Sequence, residues 1–263
     1  GKYFLNDLHV ALGNNRLAII DPSISGHQPM TSDDGNLSIV YNGEIYNYKN
    51  LRRVLMSLGH KFHSGTDTEV VLHLYEEYGE NCLQYLMGMF AFCVWDKKNQ
   101  RLFMARDRFG IKPVYFYKSK DAFIFSSEVK ALLASGLVEG KLNASAIASY
   151  LTFGSISAPL SIIEGVEALP AGNYLTFQNG EVNIQRYWCL SVSEDKNLNE
   201  TEIKEKIYKL LLESVRSRLL ADVPVGAFLS GGVDSSAIVS LMREVTPGPI
   251  KTFSMTFREQ EFS

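Results

Sequence analysis

Cysteine is scarce in this sequence, and long apolar runs are missing. The three cysteines, Cys82, Cys93 and Cys189, lie far apart and form no Cys-x-x-Cys pair. We therefore predict three reduced thiols in the protein core, which is typical of a cytoplasmic protein. The longest apolar stretch, residues 89–95, is far shorter than the ~20 residues that a membrane-spanning helix needs, so no membrane partner is predicted.

The sequence has no large excess of either positive or negative charge. The formal net charge is −3, the isoelectric point is near 6.0, and lysine and arginine form no run. This balance argues against a nucleic-acid partner and against a membrane-surface partner. The five histidines show neither His-x-x-x-His nor His-Glu-x-x-His spacing. A metal site built from His9, His27, His60, His63 and His73 is therefore disfavoured.

Apolar residues are plentiful enough for about two domains. Of the 263 residues, 46 % are hydrophobic and 21 % are charged, the balance of a globular protein with a full core. As far as residue 188, alternating apolar residues and turn signals predict antiparallel strands with a few helices, an α+β domain. Strands are predicted in residues 10–20, 37–41, 89–107 (two, around a turn at 97–100), 108–117 and 122–127, with a last hairpin turning at Asn179-Gly180. Helices are predicted from Tyr48, from Thr66 or Asp67, and in residues 126–136.

After that hairpin the pattern changes. Residues 189–200 are polar and acidic, and they form the predicted linker. Apolar residues at helical spacing predict a long amphipathic helix over residues 203–219. Residues 225–229 predict a buried strand that leads into a loop and another helix, and residues 251–257 predict a second strand. This order is the start of a parallel α/β unit.

Residues 230–236, Ser-Gly-Gly-Val-Asp-Ser-Ser, suit a phosphate chain. Gly231 and Gly232 let backbone N–H groups approach an anion, and the following helix start adds unpaired N–H donors. Asp234 could hold a Mg²⁺ ion that bridges phosphate oxygens. Hydroxyl donors are available from Ser230, Ser235 and Ser236. The alternative is a turn in which Asp234 and Ser235 cap the helix, but the position after a strand favours the phosphate site.

Asn42-Gly43 is a second candidate for chemistry. The pair follows a β-rich run and precedes the helical pattern that begins at Tyr48, so we predict that it lies at a strand end rather than in a hairpin turn. An Asn amide and a Gly N–H side by side make two donors for an oxyanion. Asp67 alone is better explained as a helix cap than as a ligand, and Arg16 alone as a solvated surface charge.

Two sets of motifs resemble a known family. The segment SGGVDSS, preceded by RSRLLADVPVGAFL, resembles the pyrophosphate-binding loop of the ATP pyrophosphatases, and the asparagine synthetase family in particular. The blocks RLAIID, GHQPM, NGEIYN, GTDTE, MFAF, RDRFGIKP and LPAG resemble, in order, the class II glutamine amidotransferase domain of that family. The resemblance implies an N-terminal-nucleophile αββα sandwich of antiparallel sheets over residues 1–190. Over residues 191–263 it implies the beginning of an ATP pyrophosphatase domain with a parallel sheet.

The resemblance also implies a function, ATP-dependent and glutamine-hydrolysing asparagine synthesis. Glutamine would give glutamate and ammonia, and aspartate adenylylated by ATP with Mg²⁺ would be amidated to asparagine. Glutamine, aspartate and ATP are thus the implied partners, and a homodimer is compatible with the resemblance.

The implied glutamine site gives each residue a task. Arg16 would clamp the α-carboxylate as a bidentate guanidinium, Glu44 and Asp67 would receive the α-ammonium, and Asn42 and Gly43 would form the oxyanion hole. Backbone groups of Leu17, Ile19 and Ile20 would line the pocket. The implied nucleotide-binding residues are Leu229, Ser230, Gly231, Gly232, Val233, Asp234, Ser235 and Ser236, with Mg²⁺ at Asp234.

The nucleophile is the main departure from the family. There it is an N-terminal cysteine whose own α-amino group acts as the base, whereas this chain begins with Gly1 at a point expected to be internal. As written, the chain is therefore expected not to hydrolyse glutamine. Asn14-Asn15, where the family has basic or His residues, is a second departure. Two alternatives remain open: a related amidotransferase that acts on another carboxylate, and a truncated chain that binds glutamine without turnover.

Overall fold

The computed structural model describes residues 2–5, 10–193 and 198–255. The chain forms two compact units, one of Gly1–Ala18 with Ser23–Leu190 and one of Ile19–Pro22 with Ser191–Ser263. Residues 194–197 of the predicted linker, residues 256–257 of the predicted last strand, and His9 lie outside the described residues.

Antiparallel sheets dominate the first unit. Its strands are β1 (Lys2–Leu5), β2 (Val10–Gly13), β3 (Met30–Thr31), β4 (Leu37–Ile45), β5 (Gly88–Asp96), β6 (Arg101–Arg106), β7 (Tyr115–Lys118), β8 (Phe123–Ser126), β9 (Val166–Ala168), β10 (Asn173–Gln178) and β11 (Glu181–Arg186). Its α-helices are α1 (Tyr48–Ser57), α2 (Asp67–Tyr78), α3 (Val129–Ala134) and α4 (Ala144–Phe153). One sheet has the order β11-β10-β6-β5-β4-β3, a second has the order β8-β7-β9, and β1 pairs with β2.

The two central strands of the large sheet, β4 and β5, are covered on both faces. They pair over nine positions, from Leu37 opposite Asp96 to Ile45 opposite Gly88, and both are buried almost continuously rather than alternately. On one face lies α2, which is itself buried throughout residues 67–75. On the other face Cys93 of β5 belongs to an apolar cluster that includes Phe116 of β7. Helix α2, the large sheet and the small sheet therefore form three stacked layers in that order.

The second unit contains a parallel pair of strands. Its elements are α5 (Glu200–Arg218), β12 (Gly226–Phe228), α6 (Val233–Val245) and β13 (Lys251–Phe253), and β12 pairs with β13 in parallel. A capping box between Asn199 and Glu202 begins α5. The small core joins Val215 of α5 to Leu241 and Met242 of α6.

Several sequence predictions are confirmed. The turn at residues 97–100 joins β5 to β6, and Asn179 (φ 52°) with Gly180 (φ 77°) turns the β10–β11 hairpin. The predicted helices at Tyr48 and at Thr66 or Asp67 are α1 and α2, with Thr66 as the cap of α2. The α+β class with antiparallel sheets, followed by a parallel unit, is also confirmed. Helix α4 and strand β9 were not predicted.

Several strand boundaries were predicted wrongly. The strand expected over residues 108–117 begins only at Tyr115, because the backbone N–H groups of residues 109, 111 and 112 donate to the Asp107 carboxylate and not to a neighbouring strand. The strand expected over residues 10–20 ends at Gly13. The next residue, Asn14, donates its side-chain amide to the Tyr41 carbonyl oxygen of β4, and residues 14–18 have no regular secondary structure. Asn42-Gly43 does not lie at the end of a strand. It lies within β4, since pairing with β5 continues as far as Ile45.

Two burial predictions were also wrong. The strand at residues 225–229 is not buried, and Phe228 is 83 % exposed, because the sheet of β12 and β13 has only two strands among the residues described here. Cys82 and Cys93 are buried, but Cys189 is exposed, since it lies in the polar segment after β11. All three cysteines are free thiols, as predicted. No helix in the described ranges is long and apolar enough to cross a membrane.

Candidate active site

Asp67 joins the first turn of α2 to strand β4. It is 5 % exposed, and its Oδ2 accepts hydrogen bonds from Tyr41 Oη at 2.7 Å and from the Ile45 backbone N–H at 2.9 Å. Burial raises the pKa of Asp67, and the bonds from Ile45 and Tyr41 offset part of that rise. Thr66, not Asp67, is the helix cap, and it accepts a bond from Glu69 N at 3.3 Å. The carboxylate of Asp67 therefore holds the stretch of β4 between Tyr41 and Ile45 in place.

That stretch contains Asn42, Gly43 and Glu44. In strand alternation Asn42 and Glu44 share one face of β4; Asn42 is exposed and Glu44 is buried. Gly43 lies opposite Phe90 of β5, and a Cβ on Gly43 would come within 2.7 Å of Phe90 Cα and closer still to the Met89 carbonyl oxygen. Only glycine therefore fits here. The two proposed oxyanion donors lie side by side on a strand that its neighbours hold rigidly.

Arg16 lies half-buried beyond the end of β2. Its guanidinium lies against Gly26, where a Cβ would come within 2.6 Å of Arg16 Cζ. Just before it, the side-chain amide of Asn14 donates to the Tyr41 carbonyl oxygen of β4 at 3.2 Å. Asn14 is one of the two residues that depart from the family pattern. Its hydrogen bond ties the segment before Arg16 to β4, the strand that contains Asn42.

The structure does not place all the predicted glutamine-site residues in one unit. Residues Arg16, Leu17, Asn42, Gly43, Glu44 and Asp67 belong to the first unit. Ile19 and Ile20 group with the second unit, where the Ile19 carbonyl oxygen accepts from Asp222 N at 3.0 Å. Leu17 is 85 % exposed, whereas Ile20 is 4 % exposed.

The predicted phosphate loop lies between β12 and α6. Gly231 has φ +83°, a conformation that favours glycine, and nothing lies within 4 Å of a Cβ built there. The hydroxyls of Ser230 and Ser235 are 3.0 Å apart. Helix α6 begins at Val233 after the cap residue Gly232, and no side chain caps it. The capping role considered for Asp234 and Ser235 is therefore wrong.

The start of α6 has the features of an anion site. The first backbone N–H groups of a helix have no intrahelical acceptor, and the open surface around Gly231 leaves them accessible. Most of the predicted nucleotide-binding residues, Ser230, Gly231, Gly232, Val233, Asp234 and Ser236, are exposed; Leu229 and Ser235 are half-buried. The residue types and the backbone conformation fit a phosphate group.

Comparison with known proteins gives the family. The family model of the glutamine amidotransferase domain matches residues 1–188. The chain belongs to this family. A second family model, asparagine synthase, matches residues 206–263. The family resemblance expected from the sequence motifs is confirmed.

Relatives of this amidotransferase chain carry related names. It is 40 % identical to a putative glutamine-hydrolysing asparagine synthetase 2 of Methanocaldococcus jannaschii, over 97 % of this chain and 52 % of that protein. It is 37 % identical to glutamine-hydrolysing asparagine synthetase 3 of Bacillus subtilis, over 96 % of this chain and 42 % of that protein. The fungal amidase chry2 of Gibberella zeae is 38 % identical over 92 % of this chain and 36 % of that protein. The chain thus spans about half or less of the length of these relatives.

A solved structure shares the fold. Glutamine phosphoribosylpyrophosphate amidotransferase of Bacillus subtilis matches with a TM-score of 0.51 and 18 % identity, covering 96 % of this chain and 54 % of that one. At this identity the likeness shows the fold alone. The expected N-terminal-nucleophile fold class is confirmed.

The contacts of two buried side chains in the first unit were not predicted from the sequence. Gln28, 3 % exposed, accepts from Tyr41 N at 2.7 Å and donates to Thr68 Oγ1 at 3.2 Å, so it joins β4 to α2 beside Asp67. Asp107, 1 % exposed, accepts from Phe90 N at 3.2 Å, and Phe90 is the cross-strand neighbour of Gly43. Both residues lie in motif blocks, GHQPM and RDRFGIKP, but nothing in their spacing indicates these contacts.

Proposed function

We propose that this chain contributes the glutamine site and the first part of the nucleotide site of an ATP-dependent, glutamine-hydrolysing asparagine synthetase. We assign residues 1–190 to the glutaminase domain and residues 191–263 to the beginning of the synthetase domain. The observation that carries the proposal is the rigid placement of Asn42-Gly43 on β4, which Asp67 anchors from α2. The names of the relatives support the choice of asparagine synthesis.

At the glutamine site each residue would have a distinct task. The Asn42 amide and the Gly43 N–H would donate to the oxyanion of the tetrahedral intermediate, where one such donor typically contributes about 10²- to 10³-fold in rate. Arg16 would bind the α-carboxylate in bidentate fashion. Glu44 and Asp67 would supply negative charge for the α-ammonium, and Leu17, Ile19 and Ile20 would contribute backbone contacts.

The cysteines of the chain do not fit the role of nucleophile. Burial raises the pKa of Cys82 to about 12 and raises the pKa of Cys93 as well, so that neither thiol ionises readily. Neither these cysteines nor Cys189 carries a free α-amine to act as base. We therefore assign the nucleophile to an N-terminal cysteine, as in the family, that is not one of these three residues.

ATP would be held at the loop between β12 and α6. Its phosphates would accept hydrogen bonds from the backbone of residues 231–235 and from the hydroxyls of Ser230, Ser235 and Ser236. Asp234 would hold Mg²⁺. When bound, ATP supplies the adenylyl group that activates a carboxylate. This loop would orient the phosphate chain while the acceptor carboxylate binds elsewhere.

The two candidate functions differ in the carboxylate that accepts the ammonia. Asparagine synthesis requires aspartate, whereas the similarity to the fungal amidase chry2 favours an amidotransferase with another acceptor as the second candidate. A chain that binds glutamine without turnover is the remaining alternative.

The test measures products of the full-length natural protein. We expect glutamine, aspartate and ATP to yield glutamate, asparagine and AMP in equal amounts. Glutamate and AMP formation that requires a different carboxylate would favour the second candidate. Glutamine binding in a calorimeter with no release of ammonia would instead leave only the non-catalytic alternative.

A further inference from the structure

Three side chains converge where the connection between α1 and α2 meets α2. His60 follows α1, and His73 and Glu76 lie one turn apart on α2. The Nδ1 atoms of His60 and His73 are 3.2 Å apart, and Glu76 Oε2 lies 2.5 Å from His73 Nδ1 and 3.6 Å from His60 Nδ1. His73 is buried, His60 is half-buried and Glu76 lies at the surface. Two imidazole nitrogens and one carboxylate oxygen thus face a common point that solvent can reach.

No arrangement of protons makes all three contacts among His60 Nδ1, His73 Nδ1 and Glu76 Oε2 hydrogen bonds. A ring nitrogen carries either one proton or one lone pair. His73 Nδ1 therefore cannot donate to Glu76 and at the same time accept from His60. When His73 Nδ1 donates to Glu76, its contact with His60 Nδ1 is therefore not a normal hydrogen bond. A cation between the three atoms would accept lone pairs from all of them.

The second ring nitrogen of each histidine faces a carboxylate. His60 Nε2 lies 3.1 Å from Glu77 Oε2, and His73 Nε2 lies 3.9 Å from Glu69 Oε1. Glu69 is itself held by the backbone N–H groups of His63 and Ser64, at 2.7 and 2.8 Å. Metal-binding histidines almost always donate their other N–H to such an outer partner, which fixes the tautomer and the direction of the ring. The His60 ring has this arrangement with Glu77. His73 Nε2 makes no hydrogen bond within the described structure, because Glu69 Oε1 lies 3.9 Å away, so Glu69 acts on this ring through its charge alone.

The surrounding charge favours a cation. Three carboxylates surround the two rings: Glu76 at Nδ1 of His73, Glu69 near Nε2 of His73, and Glu77 at Nε2 of His60. Their combined negative charge favours a positive ion at this position.

We propose that His60, His73 and Glu76 form a binding site for a divalent first-row transition ion, with Zn²⁺ the best match. Neutral imidazole nitrogens and a carboxylate are zinc ligands, and ligands about 2.0–2.1 Å from a tetrahedral ion lie roughly 3.3 Å from each other. The separations of 3.2 and 3.6 Å are close to that value. The Glu76 side chain lies at the surface and can withdraw from His73 to accommodate the ion, and water from solvent can complete the coordination.

The ion would connect two parts of the chain. His60 lies in the connection between α1 and α2, and the other two ligands belong to α2. This connection ends at Thr66 and Asp67, where α2 begins. A bound ion would therefore hold the segment that leads into Asp67, a structural role that does not depend on the proposed glutamine chemistry.

The test uses the full-length natural protein, untagged and stripped of metal with a chelator. Isothermal titration with Zn²⁺ alone, and the absorption spectrum of the Co²⁺ form, are measured for wild type, His60→Gln, Glu76→Gln and Glu77→Gln. His63→Gln is the matched control, because His63 is an exposed histidine of the same connection that pairs with Asp33 at 3.1 Å. Wild type and the control should bind one equivalent and should melt at a higher temperature with zinc.

The variants should weaken binding in a definite order. We expect His60→Gln and Glu76→Gln to lose at least about 100-fold in zinc affinity, and Glu77→Gln about tenfold, since removal of an outer partner typically costs 10- to 100-fold. Glu76 and Glu77 lie at the surface, so their variants remain informative if His60→Gln does not fold. Equal affinity in His60→Gln and His63→Gln, or no stoichiometric binding by wild type, would overturn the assignment.

Discussion

At the scale of single residues, Asp67 combines two demands that oppose each other. Its carboxylate accepts from Tyr41 and Ile45 of β4 and thereby positions the residues between them. The same carboxylate is almost fully buried, and burial raises its pKa. A group with a raised pKa in the folded state contributes most to stability below its unfolded pKa, and that contribution is lost as pH rises through the folded value. At neutral pH, ionised Asp67 therefore lowers the stability of the unit.

We predict that Asp67→Asn separates stability from function. The amide oxygen can still accept from β4, but the unfavourable buried charge is removed. The free energy of unfolding at neutral pH should equal or exceed that of wild type. The difference should vanish below about pH 3.8, the ordinary Asp value, where wild type is also uncharged. Glutamine affinity should fall, because the α-ammonium loses a counter-charge.

Asp67→Ala provides the contrast. It leaves the Tyr41 hydroxyl and the Ile45 N–H without their acceptor, and each such buried group costs about 1–3 kcal/mol. Urea denaturation of both variants across pH 3–8 measures the effect. Equal destabilisation by Asn and Ala at neutral pH would show that the charge, not the acceptor, matters.

Gly43 gives a second residue-level prediction. Gly43→Ala should lower the free energy of unfolding by about 1–3 kcal/mol, because the new methyl group meets the backbone of Met89 and Phe90, which cannot move aside without separating β4 from β5. Gly140→Ala is the control, since nothing lies within 4 Å of a Cβ there and its φ is not in the left-handed range. Thermal melts of the two variants should differ clearly; matching melting temperatures would contradict the close approach of the strands.

At the scale of elements, the start of α2 controls how Asp67 is presented. The Thr66 hydroxyl accepts from Glu69 N at 3.3 Å and bonds with Ser64 Oγ at 2.8 Å. Glu69 also holds Ser64 through its carboxylate. The cap, the first turn and the preceding connection therefore form one hydrogen-bonded structure, fully buried at Thr66.

We predict that Thr66→Ala destabilises the unit by about 1 kcal/mol more than Thr66→Ser does. Both variants lose the methyl group, and only Ala also loses the capping hydroxyl, so the difference between them isolates the cap. Chemical denaturation measures both free energies of unfolding. If Ala and Ser prove equally stable, the hydroxyl contributes nothing to the start of α2.

At the scale of the whole molecule, the proposed reactions belong to different compact units. Asn42 and Gly43 lie in the first unit, and residues 229–236 lie in the second. A defect confined to the glutamine site should therefore leave the second unit able to use ammonia that is supplied from solution.

We predict that Asn42→Ala in the full-length protein lowers glutamine-dependent asparagine formation by about 10²- to 10³-fold, because one oxyanion donor is lost. Synthesis from ammonium chloride should stay within about twofold of wild type. Gly231→Ala should instead impair synthesis from both nitrogen sources, since φ +83° at that position strains any residue other than glycine. Loss of ammonia-dependent activity in Asn42→Ala would argue against separate sites.

The candidate site shows which features could be predicted from sequence. The residue types at Arg16, Asn42, Glu44 and Asp67 were recognisable because they stand in short motif blocks. Their surroundings were not. Gln28 reaches Tyr41 and Thr68, 13 and 40 positions along the chain, and His60 meets His73 across 13 positions at no standard metal-ligand spacing. Such contacts depend on side-chain direction after the elements have packed.

The sequence by itself determined the family, the α+β class, the β10–β11 hairpin and the helices α1 and α2. The family follows from the resemblance of the motif blocks. The class, the hairpin and the two helices follow from local signals: alternation of apolar residues, an Asn-Gly turn, and a Thr cap before a helical pattern. Tertiary structure alone decided that β4 continues through Asn42 and Gly43, that Asp67 anchors this strand, and that β12 stays exposed. Each of these depends on which partner an element finds, since hydrogen-bonding and burial are completed by residues far away in the chain.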